Sequence, residues 1–362
     1  MRAVCVEAPD VIQLKEVTPK ADLGPDEVRV AVSHVGVCGS DVALIRGQNP
    51  FARFPVIPGH EISGVLSEVG KSAAGRFKAG TPVAVMPVWS CGECEFCLAG
   101  EVNHCSRLRL LGVHVDGGYA EEVVVKESMV RRLPPGVSLQ QGAAVEPLAV
   151  AIHCANRVRI DTGDSVAVLG SGVIGLLLIQ VARLYGAAKI AAIDIVDARL
   201  EIARELGADV TANPSRGDPV PRCLKVAALG FRVVFDMVGT DESLRQAMAL
   251  TRSGGSIVPL VPPKKSVLEY PFLESFGREI SLVTSRLYGL QDFDMALSLL
   301  GERRIKVDRI ITQAYKLEDI GDALATLKSR PDIAIKVMLN PQPLEQLENN
   351  WLQSARISRI VQ

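Results

Sequence analysis

Two different spacings of apolar residues run along the chain, and they divide it near Ser138. Up to about residue 130 the apolar positions fall in short runs broken by Gly- or Pro-containing turns. Glu27 to Val37 is the clearest of these, with Glu27-Val28-Arg29-Val30-Ala31-Val32 alternating as a half-buried strand does. Val65 to Val69, Pro82 to Val88 and Glu121 to Val125 predict further strands, so this half is β-rich with long loops, and the loops carry the unusual residues. Beyond Ser138, Gln140 to Val158 reads as mostly helical, and from Ser165 strand and helix alternate. Ser165–Leu169 predicts a strand, Val173 to Tyr185 a helix and Lys189 to Asp194 a strand. Asp197 is read as the cap of a helix that ends at Gly207, with Leu200, Ala203 and Leu206 on one face. Strands follow at Asp209 to Ala212, Phe231 to Asp236, Ser256 to Val261 and Glu279 to Thr284, and such a βαβαβ series predicts a parallel, doubly wound sheet. A helix at Phe293 to Leu300, a strand at Arg309 to Thr312, a helix at Glu318 to Lys328 and a strand at Ile333 to Leu339 complete the periodic part. From Asn340 the chain is polar, with Leu344, Leu347, Trp351 and Ala355 at helical spacing, which suits a docked amphipathic helix or a frayed end.

Composition sharpens this picture in three ways. A chain of 362 residues with 48% hydrophobic residues can bury a large core and suggests two domains. A net charge of −1 argues against nucleic acid or an acidic membrane surface as the main partner. The start, Met1-Arg2-Ala3-Val4-Cys5-Val6-Glu7, has no apolar signal core, and Val166 to Ala182, though apolar, carries three glycines and is short for a membrane span. We expect a soluble, cytoplasmic protein, in which a crowd of cysteines reads as metal binding rather than as disulfides.

Three groups of residues carry chemistry. Gly170-Ser171-Gly172-Val173-Ile174-Gly175 follows a predicted strand and opens a predicted helix, the context in which backbone amides approach a pyrophosphate. Asp194, nineteen positions beyond Gly175, is placed to accept from both adenosine ribose hydroxyls and would repel a 2′-phosphate, which favours NAD; an arginine at Arg199 serves either cofactor. Cys91, Cys94, Cys97 and Cys105 are spaced to complete a tetrahedral, closed zinc site of structural type. The alternatives are four buried or reactive thiols, or a nucleic-acid-binding ribbon, for which Glu93, Glu95 and Glu101 make a poor phosphate-facing surface. Cys38 in Gly36-Val37-Cys38-Gly39-Ser40-Asp41, His60 and Glu61 in Pro58-Gly59-His60-Glu61-Ile62-Ser63-Gly64, and Glu146 in Glu146-Pro147-Leu148-Ala149 are individually ambiguous. Together they offer the thiolate, imidazole and carboxylate of an open, catalytic zinc site.

With these motifs the chain, from about Met1 to Leu339, resembles zinc-containing medium-chain dehydrogenases/reductases of the sorbitol and threonine dehydrogenase branch. Arg46-Gly47-Gln48-Asn49-Pro50-Phe51, Leu111-Gly112-Val113-His114-Val115-Asp116-Gly117-Gly118 and Thr284-Ser285-Arg286-Leu287 resemble bacterial dehydrogenases of sugar acids such as galactonate and gulonate. The resemblance implies an α/β protein with a GroES-like catalytic domain over 1–150 and 287–340, a Rossmann dinucleotide-binding domain over 151–286, and a tail over 341–362. It implies two zinc ions per chain. Cys38, His60 and either Glu61 or Glu146 would hold the catalytic one, and the four-cysteine loop the structural one. It further implies that Ser40 takes the alcohol proton, that Leu260, Val261 and Pro262 lie beside the nicotinamide carboxamide, and that Ser285 and Arg286 stand near nicotinamide and substrate. Relatives in this branch are commonly dimers or tetramers, so a homo-oligomer is expected. Three positions depart from the pattern: Ala43 replaces a histidine that relays the proton outward, and Leu44 and Leu287 replace two tyrosines of the polyol pocket.

The resulting expectation is a zinc-dependent oxidoreductase that moves a hydride from a secondary alcohol of a polyol or sugar acid to NAD. Arg286 is the candidate partner for a substrate carboxylate, with Arg46 and Asn49 as weaker ones. The alternatives are a threonine-type or simple secondary-alcohol dehydrogenase, and a dinucleotide-binding protein that no longer catalyses.

Overall fold

The computed structural model describes residues 1–261, 267 and 269–342. A six-stranded, all-parallel sheet runs in the order Val210–Ala212, Lys189–Ile193, Ser165–Leu169, Phe231–Asp236, Thr251–Pro259 and Ser281–Leu282. In chain order that is 3-2-1-4-5-6, the doubly wound arrangement, and the order reverses between Ser165–Leu169 and Phe231–Asp236. Val166, Ala167, Val168, Val233, Val234 and Phe235 are all wholly buried. Helices on both faces of such a sheet make its strands continuous apolar runs rather than alternating ones.

The second sheet is mixed. Its order is Ile311–Lys316, Lys336–Asn340, Glu27–Val37, Glu61–Val69, Pro82–Val85 and Val130–Arg132, and Glu122–Lys126 also pairs with Glu27–Val37. All pairings are antiparallel except that of its last two strands in the chain, Ile311–Lys316 and Lys336–Asn340, which is parallel. The C-terminal strands thus complete a sheet begun 300 residues earlier. The helix Val145–Asn156 packs on Glu61–Val69 of this sheet and also on the helices Val173–Leu184 and Leu290–Gly301. It therefore runs from one sheet to the other.

Several expected boundaries move. The expected strand at Pro82 to Val88 is two strands, Pro82–Val85 in the large sheet and Val88–Trp89 paired with Arg109–Leu110. Pro87, which has no amide hydrogen to give a ladder, lies between them. Asp197 does not cap its helix: the helix is Asp197–Glu205, Val196 holds the cap position, and the Asp197 carboxylate accepts from Asn213 Nδ2 at 3.0 Å. A carboxylate at the first helical residue still suits the positive helix end. Thr251–Pro259 begins before the expected Ser256, Glu279 to Thr284 contracts to Ser281–Leu282, Arg309 to Thr312 shifts to Ile311–Lys316, and Ile333 to Leu339 shifts to Lys336–Asn340. The antiparallel pair Arg2–Ala8 and Val11–Glu16 was not anticipated. Pro262 and the helical spacing of Leu344, Leu347, Trp351 and Ala355 lie outside the described residues.

Candidate metal and cofactor sites

Register places the first site. The strand Glu27–Val37 delivers Cys38 to the N-cap of the helix Gly39–Ile45, and its neighbour Glu61–Val69 starts just after His60. Gly36 pairs with Glu61, and on the other side Val37 pairs with Val337, so Cys38, His60, Glu61 and Lys336 emerge at one end of the sheet. A Cβ at position 36 would meet the Glu61 carboxylate where Lys336 holds it, so glycine there leaves that carboxylate its place.

Cys38, His60 and Glu61 each offer one donor atom, and the three lie within 4.8 Å of one another. Ligands about 2.0–2.3 Å from one tetrahedral zinc ion lie roughly 3.3–3.8 Å from one another, so the set fits the metal once the donors draw together. The imidazole is oriented for the task. His60 Nδ1 lies 3.2 Å from Asp41 Oδ1, and neither buried atom has an aligned hydrogen-bond partner. Asp41 Oδ2 is held by the Cys38 amide at 2.9 Å and by the Tyr119 hydroxyl at 3.0 Å. Burial alone would raise the Asp41 carboxyl, but His60 and these two donors hold it below the usual range. Ser40 Oγ lies 3.4 Å from His60 Nε2, on the side where the three donors meet.

Glu61 has a partner that the sequence reading did not assign. Lys336 Nζ donates to both carboxylate oxygens, at 2.6 and 2.7 Å, and to the Val37 carbonyl at 3.3 Å. Both side chains are almost fully buried. Burial would lower the lysine pKa, but the charges of Glu61, Cys38 and Glu146 hold it raised, so the ammonium stays charged. A lysine inside the apolar run Ile333-Ala334-Ile335-Lys336-Val337-Met338 was the available signal, since a buried charge needs a partner. Glu146, in the first turn of Val145–Asn156, is buried but stands outside the 4.8 Å group. Desolvation, reinforced by the Glu61 charge, pushes its pKa up to about 7. Beside it lies Tyr288, also wholly buried and stacked 5.8 Å from Phe293, its phenol raised by burial and by Glu146.

The four-cysteine loop is a second, separate cluster whose sulfurs all lie within 4.8 Å of one another. Cys94 Sγ is 3.4 Å and Cys91 Sγ 3.7 Å from Cys97 Sγ, close to the separation of about 3.8 Å that a tetrahedron of Zn–S bonds requires. The amide of Cys94 points at Cys91 Sγ and that of Cys91 at Cys105 Sγ, donors that suit thiolates. No open position is left among the four sulfurs, and the donor set fits a structural zinc.

The glycine motif sits at the carboxyl end of Ser165–Leu169, at the point where strand order reverses. Gly172 caps the helix Val173–Leu184, and a Cβ on Gly175 would lie 1.9 Å from the Gly170 carbonyl oxygen. The third glycine thus allows helix and turn to touch. Asp194 accepts from Ser171 N at 2.7 Å and from Val196 N at 2.9 Å, which fixes its carboxylate beside the turn. Arg199 points elsewhere: its guanidinium donates to the carbonyls of Pro331 and Ala334. Leu260 N bonds Asp236 O and Val261 is partly exposed. Ser285 is buried with an unpartnered hydroxyl, and Arg286 is exposed, its carbonyl accepting from Asn103 Nδ2 at 3.4 Å. Leu44, expected at a pocket wall, is wholly buried among Val6, Ile45, Val56 and Val113. Leu287 has a left-handed backbone (φ 54°), which separates the exposed Arg286 from the buried Tyr288.

A doubly wound dinucleotide fold joined to a β-rich unit that gathers two cysteine-containing sets of potential metal ligands defines a class of redox enzyme. Residues 24–135 match the alcohol dehydrogenase GroES-like domain and residues 173–302 the zinc-binding dehydrogenase domain, and the chain belongs to the zinc-containing medium-chain alcohol dehydrogenase family. It is 34% identical over 329 residues to L-idonate 5-dehydrogenase of Vitis vinifera, covering 88% of this chain and 89% of that one. Among solved structures it is similar to a zinc-binding dehydrogenase of Sinorhizobium meliloti bound to NADP (32% identity, TM-score 0.87, 94% of this chain and 99% of that one). It is also similar to the RspB alcohol dehydrogenase of Escherichia coli complexed with NADH (31% identity, TM-score 0.85, 94% and 99%). The expected α/β architecture and oxidoreductase class therefore hold. Among the described residues no helix is long and apolar enough to cross a membrane.

Proposed function

We propose that this protein oxidises a secondary alcohol of a sugar acid or polyol with NAD, using a zinc ion held by Cys38, His60 and Glu61. The observation that carries the reading is the convergence of those three donors beside Glu146 and Tyr288, two residues along the chain from Arg286. A zinc ion held by these three donors would supply Lewis acidity to a substrate hydroxyl, and a bound dinucleotide would supply the hydride acceptor. Ser40, beside His60 Nε2, receives the alcohol proton; Ala43 offers no relay, so the proton leaves from exposed Ser40 to water. Lys336 holds Glu61, and Asp41 with Tyr119 holds His60, so the donors stay ordered through turnover. Glu146, whose pKa burial pushes up to about 7, exchanges a proton close to neutrality and stands as a hydrogen-bonding partner of the substrate rather than a permanent ligand.

NAD rather than NADP is favoured by the fixed carboxylate of Asp194 and by the commitment of Arg199 to two backbone carbonyls. The four cysteines hold a second, structural zinc. The catalytic unit comprises 1–150 and 287–340 and the cofactor unit 151–286, supported by the pairing of Lys336–Asn340 with Glu27–Val37. The kinship with L-idonate 5-dehydrogenase and the exposed Arg286 support a sugar acid. The protein is placed in the cytoplasm and is expected to form a homo-oligomer. NADH formation across a panel of aldonates and polyols tests the reading: turnover of polyols with no aldonate oxidised would remove the sugar-acid part.

A further inference from the structure

Close to the segment that carries His60 lies positive charge that, Arg286 apart, the proposed chemistry does not use. Phe51 and Arg53 are exposed in the loop that follows the Gly39–Ile45 helix, and Arg109 is exposed on the Arg109–Leu110 strand. His114 stands by both, its ring centroid 6.4 Å from that of Phe51. Its Nδ1 accepts from Leu110 N at 3.0 Å, so the neutral ring carries its proton on Nε2, a donor with no partner among the described residues. Arg109 adjoins Leu110, whose amide meets the ring, and Arg53 lies two residues from Phe51, so both chain segments flank His114. Burial, and after it the charges of Arg53, Arg109 and Arg286, hold its pKa below the ordinary value. None of the three forms an ion pair among the described residues, whereas Arg29, Arg107, Arg131 and Arg183 all do.

The loop bearing His114 is fastened to the segment bearing His60. Ile57 N donates to Asp116 Oδ1 at 3.0 Å, Gly118 N to Gly59 O at 2.8 Å, and Val113 is buried against the same cluster as Leu44. Unpaired like charges gathered at one place repel one another, and an anion seated among them removes that cost while gaining charge-assisted hydrogen bonds.

We propose that Arg53, Arg109 and the Nε2–H of His114, with Arg286, bind an anionic group, carboxylate or phosphate, at the end of the substrate remote from the reacting alcohol. The proposal deepens the dehydrogenase reading above and rests on it. It makes these residues a selector for anionic-ended polyols over neutral ones, and assigns that selection to groups outside the zinc ligands.

The test uses the holoenzyme with NAD and three substrate sets: aldonates, alditol phosphates and the corresponding neutral alditols. The readout is the ratio of kcat/KM on an anionic substrate to that on its neutral counterpart, in which a general folding or metal defect cancels. R53A and R109A should each lower that ratio about 10-fold, and the double variant about 100-fold, the usual worth of one and two charged hydrogen bonds. A larger loss on alditol phosphates assigns the anion as phosphate, and a larger loss on aldonates assigns it as carboxylate. If the wild type prefers anionic substrates and the variants leave the ratio unchanged, this anion site is overturned while the sugar-acid reading stands. If the wild type oxidises neutral alditols alone, both fall. Absence of turnover on every set, with no binding of aldonate or alditol phosphate to the NADH complex by calorimetry, overturns the proposal as well.

Discussion

The two sheets of this molecule handle charge in opposite ways. In the parallel sheet the buried charged residues, Asp194 and Asp236, stand at strand ends, where backbone amides meet them. The strand interiors are apolar. In the mixed sheet Arg29 and His34 lie within one strand and Glu61 and Lys336 open theirs, all four are buried, and two of them pair with each other. A dinucleotide needs amides and a helix end, which a strand-to-helix turn supplies without placing charge in the core. A metal-assisted reaction needs fixed charged donors in a dry site, so the sheet that holds them must accept buried charge and pair it. One half can therefore be altered at its turn with little effect on its core, whereas in the other half site and core are the same residues.

The sharpest way to separate the halves is Cys38→Ser. Loss of one ligand should reduce turnover by about 1000-fold or more, because the acidified alcohol is no longer formed. Metal content should fall by one zinc per chain, with the four-cysteine ion retained, while NADH binding measured by fluorescence persists. Retained activity would remove the zinc mechanism, and lost NADH binding would show that the halves are not separable.

Next in size is Lys336→Met, measured on metal-free protein, where it leaves the Glu61 carboxylate buried and unpaired. Breaking one side of a buried pair costs about 3–5 kcal/mol, so a large fall in thermal or denaturant stability is expected, with partial recovery in K336R. Stability within about 0.5 kcal/mol of wild type would mean that Glu61 finds water instead. Among the described residues the parallel half has no such buried pair to break.

His34 gives the mixed sheet a pH dependence of its own. It is buried, with Nδ1 2.9 Å from Ser33 Oγ, and burial holds its pKa at about 4, below the ordinary 6.5. Between those two values the unfolded chain binds a proton that the folded chain refuses, so stability is fully present above pH 6.5 and falls as pH drops towards 4. The full loss is about 3 kcal/mol for a shift of this size. His34→Gln should flatten the slope of stability against pH in that window; an unchanged slope would place the acid sensitivity elsewhere.

The same contrast explains what could be read from the residues in order. The four cysteines and the glycine turn are contiguous, and their spacing alone states what they can hold, so both were legible. Cys38, His60 and Glu61 come from two strands, and only the register of Gly36 against Glu61 brings them together. The resemblance to a family supplied that step. Lys336 stood 275 residues from its partner and no local pattern links them. Strand edges moved where a single proline or a neighbour's register decides the ladder, as at Pro87. Leu44 and Arg199 were placed by correspondence in a motif, and packing sends one into a core cluster and the other to carbonyls of the C-terminal segment.

The smallest expected effect lies in the parallel half and tests its side of the contrast. Asp194 accepts from Ser171 N and Val196 N, and in the NAD reading proposed above its charge meets the adenosine ribose. Asp194→Asn keeps the shape and one acceptor oxygen but removes the charge. Affinity for NAD should fall about 10-fold, the worth of a charge-assisted hydrogen bond, and the preference over NADP should narrow, because nothing then repels a 2′-phosphate. Arg199, engaged with Pro331 and Ala334, is not free to supply a compensating cation, so NADP should not become the better cofactor. Titration of both cofactors, with zinc content and unfolding midpoint measured on the same preparation, decides the point. If zinc content falls or stability drops by several kcal/mol, the turn is coupled to the core as tightly as the mixed sheet is, and the contrast between the halves fails.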